Sequence, residues 1–186
     1  MDAAQRNDFR AGVRRFVERE LAPHVDAWDE AGEFPRDLYR RAGALGLLAL
    51  GYPEAYGGTP CDWATRLALV DEIARAGSGG LMAGLFSHHI ALPPIVAAGS
   101  DALKARVIPP VLAGDEIAAL AVTEPGGGSD VARLATTARR DGDAYLIDGD
   151  KVFITSGVRA DWLTVAVRTG GGGAGGISLL AVPGDA

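Results

Sequence analysis

Apolar residues recur at helical spacing from the start of the chain. With Arg and Glu residues between them, they line one face of a predicted helix at Phe9, Val13, Phe16, Val17 and Leu21. Pro23 has no N–H to donate and crowds the preceding turn, so we expect the helix to end or kink there. The pattern therefore predicts an amphipathic first helix.

Two more helices are predicted along the next part of the chain. Pro35 suits the first turn of a second helix over "RDLYRRAGALGLL". The turn-rich stretch "YPEAYGGTP" separates it from a third helix, for which Asp62 is a suitable N-cap. We expect the third helix to bury an apolar face that consists of Trp63, Leu67, Val70, Ile73 and Ala74.

Two serines indicate where the last two helices begin. Ser78 suits the N-cap of a fourth helix that runs toward "HHIALPP". Ser100 suits the N-cap of a fifth helix, "DALKARVIPPVLAG", which closes at Gly114. We therefore predict an N-terminal helical domain over residues 1–116.

After Gly114 the apolar period changes from helical to extended, in the runs "IAALAVT", "ATTARR", "AYLID", "KVFIT", "WLTVAVR" and "ISLLAV". The pair Asp148-Gly149 indicates a two-residue hairpin turn, because both positions tolerate positive φ. We predict an α+β fold, in which the helical domain precedes an antiparallel β-barrel-like domain over residues 117–186. Nothing yet covers the last predicted strand, so we expect this domain to be incomplete and the chain to be cut from a longer protein.

Composition and charge exclude several classes of partner. The chain is 48% hydrophobic and 23% charged, as in soluble proteins with a core. A net charge of −6 argues against nucleic acid or an anionic membrane as partner. The lone Cys61 excludes an internal disulfide and fits a reducing compartment. Without an apolar signal segment, and with apolar runs about half the length of a membrane span, we expect a cytoplasmic protein without a span.

Three consecutive glycines follow a predicted strand in "TEPGGGSD", residues 123–130. A dinucleotide-binding fold is disfavoured because strands rather than a crossover helix come next. A phosphate loop is disfavoured because no Lys follows the glycines. Two interpretations stay open: a turn without a ligand, or a loop whose free N–H groups bind a planar or anionic ligand.

The histidines and serines do not indicate a metal site or a hydrolase. His88 and His89 are adjacent on a predicted helix and point about 100° apart, so they cannot chelate one metal from the same face. A packing or capping role is favoured for them, and we expect no metal site. Ser129 lies outside any G-x-S-x-G motif and is not expected to act as a nucleophile.

A second stretch, "KVFITSG", adds groups that suit a flat ligand. Phe153 and Thr155 would share one face of a strand because they are two residues apart. Thr123 ends another predicted strand just before the glycines. Two hydroxyls and an aromatic ring near free amides would match the edge and the face of a heteroaromatic ring. The alternative is that Thr and Phe are simply common in strands.

Taken together, the runs "LAVTEPGGGSDVARLATTA" and "YLIDGDKVFITSG" strongly resemble the flavin-binding middle domain of the acyl-CoA dehydrogenase family. The runs "FVERELAPHVDAWDEAGEFP" and "LGLLALGYPEAYGG" resemble that family's N-terminal helical domain in order and spacing. The resemblance covers essentially the whole chain. It implies that the family's C-terminal four-helix domain is absent from these residues.

The resemblance implies FAD as the cofactor. The segment that matches residues 120–129 would run along the isoalloxazine, and Phe153 stands where many members carry Trp. Thr155 would hydrogen-bond near flavin N5, and Ser129 would reach both the flavin phosphate and the acyl-CoA substrate. The cofactor-binding residues implied in this way are Leu120, Val122, Thr123, Gly128, Ser129, Phe153, Ile154 and Thr155.

The resemblance also implies an activity. Members of the family are oxidoreductases of fatty acid β-oxidation that convert acyl-CoA thioesters to trans-2-enoyl-CoA, passing electrons to an electron-transfer flavoprotein. They form homo-oligomers and take their catalytic carboxylate from the C-terminal domain, so no catalytic residue is assigned here. We interpret Glu124 as a structural loop residue and expect this chain alone to be inactive. The alternatives are a non-catalytic flavin- or acyl-CoA-binding or scaffold module, and an acyl-CoA oxidase or flavin monooxygenase relative.

Overall fold

A computed structural model describes residues 1–186. Helices form the first part of the chain: α1 Ala3–Phe16, α2 Val25–Ala31, α3 Asp37–Ala44, α4 Trp63–Ile73, α5 Gly79–Leu85, α6 His88–Ala98 and α7 Asp101–Ala113. Strands form the rest: β1 Ala118–Ala121, β2 Thr137–Asp141, β3 Ala144–Asp148, β4 Trp162–Arg168 and β5 Ile177–Pro183. The predicted α+β class, with helices before the sheet, is confirmed.

The chain divides into two compact units. The first consists of Met1–Phe86 and Ala105–Asp115, and the second of Ser87–Lys104 and Glu116–Ala186. Helix α6 therefore belongs with the sheet. Compact units and sequence domains are different divisions, so the boundary predicted between residues 116 and 117 stays a prediction.

In the first unit, α1 begins at a capping box between Asp2 and Gln5. It ends at Phe16, and a π-helical turn over Val17–Leu21 follows before Pro23. The wider turn keeps Val17 and Leu21 in the core, as the apolar pattern predicts.

The prediction for the buried face of α4 is confirmed at Ile73 and wrong at the other four residues. Trp63 is 74% exposed, Leu67 63% and Val70 43%, and Ala74 is also exposed. The residues of α4 that face the core are Thr65, Ala68, Leu69, Glu72 and Ile73. Apolar spacing fits both faces of this helix, and the face that carries Glu72 is buried because two arginines of α1 bind its carboxylate.

The predicted helix starts are confirmed where a side chain caps the backbone. Ser78 Oγ accepts from Leu81 N at 3.0 Å, and Ser100 Oγ accepts from Leu103 N at 3.2 Å. Gly114 ends α7 with a φ of +81°.

The predicted fourth helix is two helices, α5 and α6, which break at Phe86 and belong to different units. By length and composition alone the stretch Gly79–Ala98 could cross a membrane, with a mean hydropathy of 1.4. A core helix meets the same criteria, and 44% of that window is buried, so this is weak evidence for a membrane span.

The sheet of the second unit is mixed, whereas the sequence predicts antiparallel strands. Strand β5 pairs antiparallel along the whole of β4. The other edge of β4 pairs parallel with β1 and, at its end, parallel with β2. Strands β2 and β3 form an antiparallel hairpin. An apolar pattern shows which residues are buried but not the direction of a strand, so the parallel pairs could not be predicted from it.

The predicted hairpin turn at Asp148-Gly149 is also wrong. Gly142, with a φ of +62°, and Asp143 connect β2 to β3, while Asp148 is the last residue of β3. Both places contain an Asp-Gly pair, which carries the same turn signal. The strand register places Asp141 in β2, so the turn residues are Gly142 and Asp143 and neither Asp-Gly pair fills both turn positions.

The core of the second unit lies between the sheet and its neighbouring segments. It is formed by the buried residues Ala121, Ala138, Val165 and Val167 and the partly buried Ile154, Leu163, Leu180 and Val182. Helix α6 is attached to the sheet by two side-chain hydrogen bonds. Ser87 Oγ donates to Ala118 O at 2.9 Å, and Thr164 Oγ1 donates to Ala91 O at 2.8 Å.

Candidate functional site

Two segments that leave the sheet lie side by side in the second unit. We call residues 122–130, which follow β1, the glycine loop, and residues 150–157, which precede β4, the turn segment. Val152 N donates to Thr123 O at 3.0 Å, and Lys151 Nζ donates to Val122 O at 3.0 Å. These bonds bring together the two stretches that carry the predicted site residues.

The glycine loop is closed by two backbone hydrogen bonds. Glu124 N donates to Gly127 O at 2.9 Å, and Gly127 N donates to Glu124 O at 3.1 Å. A Cβ built on Gly126 or Gly127 would meet nothing within 4 Å, and one on Gly128 would lie 3.2 Å from Thr123 Cγ2. The packing of this chain therefore does not require glycine at 126 and 127. The bare backbone there leaves room for a group from outside.

The side chain of Glu124, within this loop, binds several donors. Its Oε1 accepts from Thr136 N at 2.8 Å and from Thr136 Oγ1 at 2.6 Å, and its Oε2 accepts from Ala135 N at 2.7 Å. Lys151 Nζ lies 2.9 Å from Oε1. Burial acts to raise the pKa of Glu124, but the hydrogen bonds from Thr136, Ala135 and Lys151 outweigh it and lower the pKa to about 2. These contacts fit the predicted role of Glu124 as a structural loop residue.

The turn segment is not the strand that the sequence predicts. Phe153 has a φ of +57° and Ser156 a φ of +61°, both unusual for residues other than glycine. Phe153 and Thr155 therefore do not share a strand face, although both are exposed. Ile154 packs against the sheet core between them. Anchoring of Ile154 turns its two neighbours outward, and Phe153 is 93% exposed.

Three hydroxyls in these segments are available to a ligand. Those of Thr123, Ser129 and Thr155 form no hydrogen bond within the chain. Ser129 and Thr155 are exposed, and Thr123 is half-buried. Each hydroxyl can both donate and accept, so together they suit a ligand with a polar edge.

A cleft of about 510 Å³ lies behind the glycine loop. Its other wall comes from Val131 and residues 133–137 and 148–150, and Arg133 is the one cation that lines it. Of the predicted residues, Val122 and Gly128 line this cleft. Thr123, Ser129 and residues 153–155 lie outside it, and Leu120 lies on β1 in register with Thr164. The predicted residues therefore do not surround a single cavity of this chain.

The two adjacent histidines do not form a metal site. His88 is buried, and its ring lies edge-on to that of His89 with the centroids 4.4 Å apart. The structure contains no group of three or more His, Cys, Asp or Glu side chains that could hold a metal ion. The predicted packing role fits this contact.

Comparison with protein families assigns the chain. Residues 3–115 match the model of the acyl-CoA dehydrogenase N-terminal domain, and residues 119–186 match that of the middle domain. The chain belongs to the acyl-CoA dehydrogenase family. The family resemblance predicted from the sequence is confirmed, and with it the class of FAD-dependent oxidoreductases.

Curated and solved members of the acyl-CoA dehydrogenase family resemble the chain along nearly its whole length. "Acyl-CoA dehydrogenase AFT10-1" of Alternaria alternata is 37% identical over 95% of this chain and 44% of its own. A solved structure from Mycobacterium smegmatis, assigned to the acyl-CoA dehydrogenases, has 50% identity and a TM-score of 0.94, over 98% of this chain and 48% of its own. A glutaryl-CoA dehydrogenase from the same species, solved in complex with FADH2, has 31% identity and a TM-score of 0.86, over 100% of this chain and 46% of its own. The chain therefore spans less than half the length of these relatives.

The residues of the site fit the cofactor of the acyl-CoA dehydrogenases. A flavin ring has a polar edge and two flat faces, which require hydrogen bonds and apolar contact respectively. The hydroxyls of Thr123 and Thr155, the exposed ring of Phe153 and the uncovered backbone at Gly126 and Gly127 supply these groups. FAD is thus confirmed as the cofactor at the level of the family.

Sequence reasoning missed Lys151. It is one of the two lysines in the chain, and its side chain is only 11% exposed. A signal was present, because a lysine beside the apolar run "VFI" needs an acid nearby if it is buried. Glu124 in the other motif is that acid.

Proposed function

We propose that the chain supplies the flavin-contacting wall of an FAD-dependent acyl-CoA dehydrogenase. The whole protein would convert an acyl-CoA thioester to a trans-2-enoyl-CoA. The observation that carries the proposal is the contact between the glycine loop and the turn segment, joined by Val152 N and Thr123 O at 3.0 Å. Each of the two hydrogen-bonded segments carries hydroxyls that have no hydrogen-bond partner within the chain. The polar edge of a flavin requires such groups.

In this proposal each segment holds a different part of the ring. Val122 and Thr123 bind the pyrimidine side through their backbone and the Thr123 hydroxyl, supported by Leu120 and Gly128. Phe153 lies along the other part of the ring through its side chain and Ile154 through its backbone, since the Ile154 side chain packs against the sheet core. Thr155 donates near N5. FAD, when bound, supplies the acceptor for the hydride that leaves the β carbon of the substrate. The family relationship and the exposed groups above support these assignments.

Ser129 is proposed to bind both a flavin phosphate and the thioester substrate. Its side chain is exposed at the end of the glycine loop, where bare backbone at Gly127 permits a close approach. A hydroxyl that donates to the thioester carbonyl would polarise it and acidify the α proton.

We assign no base within residues 1–186. Glu124 is the carboxylate nearest the motif, but its oxygens accept from four donors and its pKa of about 2 makes it a weak proton acceptor. Removal of the α proton is therefore proposed to need a carboxylate from elsewhere in the whole protein. The further proposals are an electron-transfer flavoprotein as acceptor, a homo-oligomer, a role in fatty acid β-oxidation and a cytoplasmic location.

The test is a flavin titration of the protein as its gene encodes it, followed by flavin absorption and fluorescence. We expect FAD to bind with a resolved, shifted band that bleaches on anaerobic addition of an acyl-CoA. Gly127→Leu should abolish binding by filling the ligand space. The control Gly172→Leu should bind normally, because that glycine is also exposed and its Cβ would also meet nothing within 4 Å.

The contribution of the Thr155 hydroxyl to FAD binding is tested separately. Thr155→Val should weaken FAD binding about tenfold, since one hydrogen bond to the ligand is lost. Thr59→Val, at an exposed threonine of the first unit, is the control. An unchanged FAD affinity in Gly127→Leu would contradict the proposal. FAD binding without bleaching by any acyl-CoA would favour the non-catalytic binding module.

A further inference from the structure

The charged pair Glu124 and Lys151 joins the two segments proposed to contact the flavin, because Glu124 belongs to the glycine loop and Lys151 to the turn segment. Each side chain is only 11% exposed, whereas Phe153, Thr155 and Ser129 are open to solvent. Neither is among the residues that the resemblance implies for flavin contact. Contact with the flavin ring therefore does not explain why an ion pair with so little solvent exposure lies at this position.

The pair connects three separate segments of the second unit. Lys151 in the turn segment donates to Val122 O of the glycine loop at 3.0 Å and to Glu124 Oε1 at 2.9 Å. Glu124 in turn accepts from Ala135 N and from Thr136 N, which precede β2. Each side chain of the pair therefore binds backbone groups as well as its charged partner.

The bonds of the pair are adjacent to the groups proposed to contact the flavin. Thr123 lies between Val122 and Glu124, and its carbonyl accepts from Val152 N. Two residues after Lys151, Phe153 adopts a φ of +57°. Such a backbone persists only where surrounding contacts hold it, and Lys151, Val152 and the packed Ile154 provide those contacts.

We propose that Glu124 and Lys151 are a positioning pair that sets the spacing between the glycine loop and the turn segment, and so the placement of Thr123 and Thr155 on the flavin. The inference rests on the proposed flavin site. Neither residue takes part in proton or hydride transfer. Hydrogen bonds and charges next to a flavin tune its electronics, so a change in spacing changes the properties of the bound ring as well as the rate.

The experiment uses the FAD-loaded protein and begins with the parent. If the parent binds no FAD, the flavin site fails and the positioning pair fails with it. If the parent binds FAD, Lys151→Met is compared with it by flavin absorption, circular dichroism in the flavin band, midpoint potential and steady-state kinetics. We expect an altered band and potential, and a kcat lower by about 10- to 100-fold with a KM changed less than about threefold.

Companion variants separate position from charge and from folding. Glu124→Gln combined with Lys151→Met removes both charges together, and its flavin band should still differ from that of the parent. Lys151→Arg should restore kcat to within about threefold, because it keeps the donor and the charge. Lys104→Met, at the other lysine, should match the parent in every measurement. If Lys151→Met does not fold, Thr136→Val removes one donor from Glu124 and should shift the same readouts less.

A further readout needs no cofactor. In the flavin-free protein, hydrogen exchange at the Val152 amide should be at least about tenfold faster in Lys151→Met, because the bond to Thr123 O opens more often. A parent-like flavin band and potential in the folded Lys151→Met protein and in the folded double variant would overturn the proposal, even if both were less stable. The pair would then only stabilise the fold, and the flavin site would still stand.

Discussion

Two glutamates with little solvent exposure, one in each unit, are kept ionised by different partners. Glu72 on α4 is fully buried and binds guanidinium groups of Arg10, Arg14 and Arg75 at 2.9 to 3.1 Å. Glu124 accepts mainly from backbone and hydroxyl donors, with Lys151 as its one ion-pair partner in the chain. Hydrogen bonds from Arg14 hold the pKa of Glu72 at about 2, and that of Glu124 is also about 2.

The two carboxylates differ in the segments of the chain that they join. Arg10 and Arg14 come from α1 and Arg75 from the short turn after α4, so this carboxylate joins elements of the helical unit. Glu124 joins loops, whose conformation no regular hydrogen-bond ladder fixes. The same low pKa can thus accompany a packing role in one place and a shaping role next to a site in another. Variants at the two positions should therefore separate stability from flavin properties.

The largest effect is expected at Glu72. Glu72→Gln leaves its arginines without the buried charge they face, and we expect a loss of about 3 kcal/mol in the free energy of unfolding. The flavin band should be unchanged in the protein that remains folded. Asp71→Asn is the matched control, because Asp71 directly precedes Glu72, is mostly exposed and also binds Arg10. It should cost less than about 1 kcal/mol in chemical denaturation.

The pH dependence of unfolding gives the next effect. Both carboxyls have a pKa in the folded chain well below the ordinary glutamate value of about 4.3. Their contribution to stability is therefore present above that value and is lost as the pH falls toward about 2. Urea unfolding between neutral and acidic pH should show a shallower acid loss in Glu72→Gln and Glu124→Gln than in the parent. Parallel curves would contradict the low pKa values.

The smallest effect is expected at Phe153, where the backbone rather than a charge is unusual. Phe153→Gly removes the side chain from a residue with a φ of +57°. It should therefore be less destabilising by about 1 kcal/mol than Val158→Gly, at a fully exposed residue without positive φ. FAD affinity should fall in Phe153→Gly. Equal losses of stability in both variants would indicate that the Phe153 backbone carries no strain.

The sequence predicted best those features that a few neighbouring residues determine. The caps at Asp62, Ser78 and Ser100 and the helix end at Gly114 were predicted because each depends on one side chain or one φ value. The buried face of α4 could not be predicted, because it depends on Glu72 meeting arginines about sixty positions earlier. The spacing of apolar residues gives no information about that contact between distant residues.

The residues of the candidate site are predicted by resemblance and stay a prediction, whereas the geometry of their segments differs from what the sequence predicts. The motifs identified the glycine loop and residues 153–155, but predicted a strand where Phe153 and Ser156 adopt positive φ. Local β preference cannot show such a turn when distant contacts impose it. Lys151 was missed for the same reason, since its partners Glu124 and Val122 lie almost thirty residues away.

Helix α6 has a consequence for anyone who divides this chain. It precedes the sheet in sequence but is grouped with it, through Ser87 to Ala118 and Thr164 to Ala91. A recombinant piece that starts at β1 would lack this helix, which packs on β1 and β4, and would uncover buried positions such as Ala118 and Thr164. Such a piece should aggregate. A piece that starts at Ser87 would include helix α6, which covers these strands, and is the shorter unit worth expressing.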